Sequence, residues 1–231
     1  LDRVVFIVSA NRGNPESYRQ LYGNGVDNLM RALAGSGKPV PWIFVSSTSV
    51  YAQNQGEWVD EDSPALGDSE SSRWIVAAEH KIIAANPAST VVRFSGIYGP
   101  GREYLFNLAS QTPRIQQDPP LYTNRIHAVD CVGVLEFLIV TSLNGTQLAN
   151  CYLATDNNPA PQWEVMHWLC RELGTNPPHA APPSQQVSQN KRCSNRRLTE
   201  LGYRLVYPDY RSGYGEMMRL KRQAESPTAL R

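Results

Sequence analysis

The chain has 231 residues, with 22 Lys and Arg against 21 Asp and Glu, giving a formal net charge of +1. Hydrophobic residues at 41% and charged residues at 19% exclude a disordered chain, and near-neutrality leaves no electrostatic footprint for nucleic acid or an anionic membrane. The longest apolar run, VGVLEFLIV, is broken by Glu136 and falls short of the ~20 residues a membrane span needs, while four scattered cysteines (Cys131, Cys151, Cys170, Cys193) with no C-x-x-C pair fit reduced thiols of a cytoplasmic protein and no metal site.

The chain opens on Leu1 rather than an initiator Met and enters a buried strand, Val4–Val8, almost at once. No basic start or long apolar core marks a signal peptide, so the opening reads as the inside of a longer protein. Val26, Leu29, Met30 and Leu33 fall on one helical face, with Gly35 as a stop. A second strand covers Trp42–Val45. A polar loop through Pro64 then leads to Ile75, Ala78 and Ile82, again one helical face, before a third strand at Thr90–Phe94. Strands alternating with single helices predict βαβ units and a parallel sheet with right-handed crossovers. A helix over about 129–143 follows, with Val132, Leu135 and Ile139 inward.

Beyond Gly145, CYLAT is a strand candidate, and Met166, Leu169, Cys170 and Leu173 form a helical stripe ended by Gly174. NPPHAAPPS reads as a linker or surface loop, RRLTELGY as a short helix and YPDY as a turn. The expected organisation is therefore an α/β domain over 1–145, a smaller C-terminal region over 146–222, and a disordered polar tail over 223–231.

Each of the three strands ends in serine followed by small or polar residues: Ser9, then Ser46 and Ser47, then Ser95. In an open parallel sheet, ligands sit at the carboxyl ends of the strands. Three neighbouring strands thus present a rim of small side chains and hydroxyls, which either starts turns or lets a flat ligand approach closely.

FVSSTSVYAQNQGEWVDEDSP, with Glu61 three residues before Pro64, resembles a segment of the NAD-dependent epimerase/dehydratase family, the extended short-chain dehydrogenases/reductases. VVRFSGIYGPGR, NRIHAVDCVGVL and SNRRLTELGYRLVYPDYRSGY resemble the segments that follow in that family, in the same order, and the likeness is greatest to its YeeZ-like atypical branch. The resemblance implies a Rossmann-type doubly wound sheet, here its C-terminal half, with a small substrate-capping region. It also implies NAD or NADP as cofactor, a small-molecule substrate that is sugar-like or nucleotide-linked, and a homodimer as one assembly. The family's glycine-rich turn and first strands belong upstream of Leu1. Without them, an apolar edge of the sheet is expected to lie open, and the residues present are expected to meet the nicotinamide half of the cofactor: Ser9, Ala10, Ser46, Ser47, Ser95, Gly96, Ile97 and Tyr98.

The family's Tyr-x-x-x-Lys pair is not present. Aligning Glu79 with the acidic residue that follows it in the family puts Ser71 and Ile75 at the two positions, and a shift of one gives Ser72 and Val76. Neither pair can do acid–base work near neutral pH. Ser47, four residues before Tyr51, matches the family's catalytic Ser or Thr, and Tyr51 itself is expected to pack beneath the site. His127 is the other catalytic candidate: Asp130, three residues on, either orients its imidazole or anchors the helix start. Arg102, Arg125 and His127 are candidates for substrate binding. The function expected is an NAD(P)-dependent oxidoreductase or epimerase, and the alternative is a catalytically silent NAD(P)-binding sensor or interaction protein.

Overall fold

Four apolar runs become one parallel sheet. In chain order the elements, in a computed structural model that describes residues 1–11, 13–36, 39–184 and 189–225, begin with β1 (Val4–Phe6), α1 (Pro15–Tyr18), a π-helical stretch (Arg19–Gly25) and α2 (Val26–Leu33). They continue with β2 (Trp42–Ser47), β3 (Glu57–Val59), α3 (Glu70–Ala85), β4 (Thr90–Phe94), β5 (Gly96–Tyr98), α4 (Tyr104–Ala109), β6 (Arg114–Gln116), β7 (Tyr122–Thr123) and β8 (Arg125–His127). The rest are α5 (Ala128–Leu143), β9 (Cys151–Ala154), β10 (Ala160–Pro161), α6 (Gln162–Leu173), β11 (His179–Ala181), β12 (Lys191–Cys193), α7 (Arg196–Leu201) and α8 (Tyr210–Glu225). The main sheet runs β1-β2-β4-β9, every pair parallel, as the alternation of strands and helices predicts.

Strand alternation sorts the core into two layers. Phe44, Val91 and Leu153 face α2 and α3, packing with Tyr22, Val26, Ile75 and Ile82. Ile43, Val92, Phe94 and Ala154 face α5 and α7, packing with Val134, Leu138 and Leu198. Local chemistry starts the helices that cover the sheet. Pro15 occupies the first turn of α1 behind Asn14, whose side chain accepts the Ser17 N–H. Ser69 and Ser72 form a reciprocal capping box at the start of α3. Gly23, inside the π-helical stretch, lies so close to α3 that an added Cβ would stand 3.1 Å from the Trp74 ring.

The two edges of the sheet differ. On the β9 edge the Leu153 N–H is taken by Glu61 at 2.8 Å, and Arg197 reaches the Cys151 carbonyl. The outer side of β1 pairs with no strand among the described residues, and Val5 and Ile7 beside it are exposed, the condition that makes an edge prone to association.

A third core lies apart from the sheet and joins α4, β6, α6 and α8 through Phe106, Ile115, Met166, Leu169, Tyr214 and Met217. α4 precedes Gly145 yet belongs to this layer, while β9 follows Gly145 yet completes the sheet, so the layers exchange segments along the chain. Helix α8 is absent from the expected elements; residues 223–225 of the expected tail continue it, and 226–231 lie outside the described residues. β11 replaces part of the expected linker by pairing with β6.

One buried ion pair crosses the α3–sheet interface. Arg93 on β4 meets Glu79 on α3 with two hydrogen bonds, 3.1 Å from Nε and 2.6 Å from Nη2. The Ser46 hydroxyl donates to the same carboxylate. The remaining Arg93 Nη1 donates to the Tyr51 hydroxyl at 2.7 Å, and that hydroxyl donates to the Asp60 carbonyl at 2.7 Å. Burial works against the guanidinium charge, but the Glu79 hydrogen bonds and charge outweigh it and hold the Arg93 pKa above its ordinary value. Tyr51 thus packs beneath the strand ends as expected, with its ring under the guanidinium carbon at 4.9 Å.

The seam between sheet and third core is also polar. β5 pairs in parallel with β8, setting Gly96 opposite Arg125 and Tyr98 opposite His127. The Asp156 N–H donates to the Arg125 carbonyl at 2.7 Å, and its Oδ1 accepts from the Asn158 N–H at 3.1 Å. Asp156 Oδ2 and Arg125 Nη1, both buried, have no hydrogen-bond partner among the described residues. Burial is the main cause that pushes the Asp156 carboxyl up to about 7, against the lowering charge of Arg125.

Two outcomes follow. Glu79→Gln strands a buried guanidinium and is expected to cost about 3–5 kcal/mol in urea unfolding, while Glu79→Leu with Arg93→Met restores most of it; a loss below about 1 kcal/mol, the range of surface pairs, would contradict this. For Asp156 the folded state keeps a proton that the unfolded state has already lost between about pH 4 and 7. Stability is therefore expected to fall as pH rises through that window, by a few kcal/mol to order of magnitude, and to level off above it. Thermal melts of Asp156→Asn should lack that component, and an unchanged pH profile would refute the assignment.

Candidate active site

The carboxyl ends of β1, β2 and β4 open onto one cleft of ≈ 410 Å³. Of the residues expected from the sequence, Ser9, Ala10, Ser46, Ser47, Ser95, Ile97 and Arg102 line it. The strands supply the serines, the segment after β5 supplies Arg102, and Tyr18 and Tyr22 close the cleft from the other side. The two tyrosine rings stack at 5.7 Å.

The hydroxyls on the rim are not equivalent. Ser46 is committed to Glu79 and belongs to the buried ion-pair network. Ser47 Oγ accepts the Ser49 N–H at 3.1 Å, capping the short helical turn after β2, and its own proton remains available to a ligand. Ser95 Oγ is buried with no hydrogen-bond partner among the described residues, an unsatisfied group at the wall of a cleft. Arg102 is exposed at the rim and makes no ion pair among the described residues.

Other expected residues lie elsewhere. An added Cβ on Gly96 would meet the Asn124 carbonyl at 3.0 Å, so this glycine serves the close approach of β5 to the chain before β8 and does not line the cleft. Tyr98 is buried in the third core, with its ring 4.4 Å from that of Tyr214. Arg125 is buried at the seam, its guanidinium carbon 5.3 Å from the Tyr210 ring centroid.

His127, the other catalytic candidate, lies away from the cleft. It is buried, its Nδ1 accepts the Val129 N–H at 3.3 Å as the N-cap of α5, and its ring lies 4.1 Å from that of Tyr207. Burial lowers its pKa, and it does not line the cleft. Asp130 does not orient it. Its carboxylate accepts from the Tyr203 hydroxyl and from the Val206 and Tyr207 N–H groups at 3.0, 2.8 and 2.9 Å, fastening the C-terminal segment to α5.

Of the two registers matched to Tyr-x-x-x-Lys, Ser71 with Ile75 and Ser72 with Val76, only Ile75 lines the cleft. The side wall where a lysine is expected is therefore apolar. Sequence reasoning passed over Tyr18, Tyr22 and Ser49, all of which line the cleft; the two tyrosines stand four apart, a helical spacing that places them on one face. No group of three metal-ligating side chains occurs among the described residues, and no helix there is long and apolar enough to cross a membrane.

No family model matches the chain. Among solved structures, a protein of Methylobacillus flagellatus assigned to the NAD-dependent epimerases/dehydratases is 37% identical, with TM-score 0.78, over 96% of this chain and 77% of its own. A Streptomyces 3-diazoavenalumate denitrifying reductase is 26% identical over 230 residues, covering 87% of this chain and 73% of the reductase. The dTDP-glucose 4,6-dehydratase of Bacillus anthracis, solved in complex with NAD, shares the fold at TM-score 0.75 and 15% identity, over 97% of this chain and 74% of its own. The parallel sheet and a 37% identity that spans most of both chains lead to one conclusion: this chain belongs to the NAD-dependent epimerase/dehydratase family.

Proposed function

We propose that the cleft at the strand ends receives the nicotinamide end of NAD or NADP, and that the protein is an oxidoreductase acting on a carbonyl or alcohol of a sugar-like or nucleotide-linked substrate in the cytoplasm. The observation that carries this reading is the convergence of Ser9, Ala10, Ser47 and Ser95 on one ≈ 410 Å³ cleft. The residues fit such a group: small side chains permit close approach, and the unpartnered Ser95 hydroxyl is suited to an amide. The reductase among the relatives and the dehydratase solved with NAD agree with it.

When bound, a nicotinamide supplies or takes up a hydride. The chain's own part is to hold and orient. Ser47, whose oxygen is already fixed by the Ser49 N–H, directs its proton at the reacting oxygen. Arg102 offers a positive charge at the rim to an anionic substrate group such as a phosphate. The α4, α6 and α8 layer serves as the cap over the substrate.

A second reading, a silent NAD(P)-binding protein, is favoured by one observation, the Ser71 and Ile75 at the Tyr and Lys positions. Oxidation of NADPH or NADH in the presence of carbonyl acceptors separates the two readings; bound cofactor with no oxidation selects the silent binder.

Ser95→Leu fills the wall of the cleft while leaving the ion-pair network intact. It is expected to weaken NADPH binding, followed by nicotinamide fluorescence, by about tenfold or more, equivalent to about 1.4 kcal/mol. An unchanged affinity would place the cofactor elsewhere.

A further inference from the structure

With Ile75 in place of a lysine and Ser71 outside the cleft, the site needs another source for the proton that a reduced carbonyl oxygen takes up. The ionisable side chains that line the cleft are Tyr18, Tyr22 and Arg102. An arginine does not give up its proton near neutral pH. Tyr22 is buried, its hydroxyl donates to the Val8 carbonyl at 3.4 Å, and burial first, with Tyr18 second, pushes its pKa up to about 12.

Tyr18 differs in burial and in hydrogen bonding. It is half-buried, lines the cleft, and its hydroxyl makes no hydrogen bond among the described residues. It is the last residue of α1, where the backbone passes into the π-helical stretch Arg19–Gly25, and such stretches in helices recur at functional sites. Here the stretch is held against α3 by the contact of Gly23 with Trp74, so the Tyr18 side of the cleft is fixed to the same helix that carries Ile75.

We propose that Tyr18 is the catalytic proton donor of this site, in place of the tyrosine missing from α3. The inference rests on the reading of the cleft as a nicotinamide site. In the direction of reduction, the substrate's carbonyl carbon accepts a hydride from the reduced nicotinamide cofactor. The C=O π pair moves onto oxygen, and that oxygen takes the phenolic proton of Tyr18. The phenolate regains a proton from solvent water. Ser47 donates a hydrogen bond to the same oxygen, and oxidation of an alcohol runs the same transfers backward.

The test uses the full chain and Tyr18→Phe, with NADPH and NADP⁺ as ligands and p-nitrobenzaldehyde as the carbonyl probe. Tyr18→Phe is expected to keep its NADPH affinity within about twofold while kcat falls by about 10²–10⁴-fold. An ultraviolet difference titration of wild type against Tyr18→Phe reads the phenol itself: NADP⁺ is expected to lower the pH at which Tyr18 ionises, because the positive nicotinamide ring favours the phenolate. This titration decides the case even where turnover of the probe is too slow to follow. NADPH binding with a Tyr18 titration that ignores the cofactor, or with turnover untouched by the substitution, overturns the Tyr18 assignment alone. A wild-type protein that binds neither NADPH nor NADP⁺ overturns the cofactor reading and this inference together.

Discussion

Arg93 and Glu79 meet where β4 runs under α3, and much of the structure is arranged around keeping that pair hydrogen-bonded. A buried ion pair gains little over well-packed apolar residues, because desolvation offsets most of the Coulomb attraction. Its geometric effect is larger. Two parallel hydrogen bonds fix the rotation of α3 about its axis. Ile75 stands one turn before Glu79 on the same helical face, so the rotation that satisfies the carboxylate also turns Ile75 into the cleft. The guanidinium positions Tyr51, Tyr51 binds the Asp60 carbonyl, and the next residue, Glu61, closes the far edge of the sheet at Leu153. One pair thus links helix, sheet, loop and edge.

The same network divides the labour among the serines at the strand ends. Ser46 and Ser47 are adjacent, and strand alternation sends them to opposite faces. Ser46 turns toward Glu79 and completes the network, whereas Ser47 stays at the rim with a proton to give. Two polar groups that look like chemistry are likewise structural: His127 caps α5, and Asp130 fastens the Tyr203–Tyr207 segment. What remains for function is a small set on the cleft wall, in which Ser47, Ser95, Tyr18 and Arg102 have polar atoms not consumed by the fold.

The sheet was legible because its strands are short β-branched runs separated by single amphipathic helices, and the observed β2 and β4 lie within a residue or two of the runs Trp42–Val45 and Thr90–Phe94. The rim was legible too, since strand ends are where a parallel sheet leaves backbone and small side chains free. Helix α8 was hidden by Gly213 and Gly215 and by its charged outer face, although Tyr210, Tyr214, Met217 and Met218 follow helical spacing and are all buried. His127 misled because an imidazole can accept a backbone N–H at a helix start as readily as it can donate its own N–H to a carboxylate, and only the fold shows which partner is in reach. Tyr18 was passed over because its place in the cleft depends on the π-helical stretch, which has no local signature of the kind that caps and turns provide.

If the cleft at the carboxyl ends of β1, β2 and β4 receives a nicotinamide, as proposed, NADPH binds there. A crystal structure of the protein with NADPH tests it directly. The nicotinamide ring is expected between Ser47, Ser95 and Ile75, with the Tyr18 hydroxyl on the same side as the exposed ring face. A ring seated outside this cleft, with Ser95 still unpartnered, would contradict it.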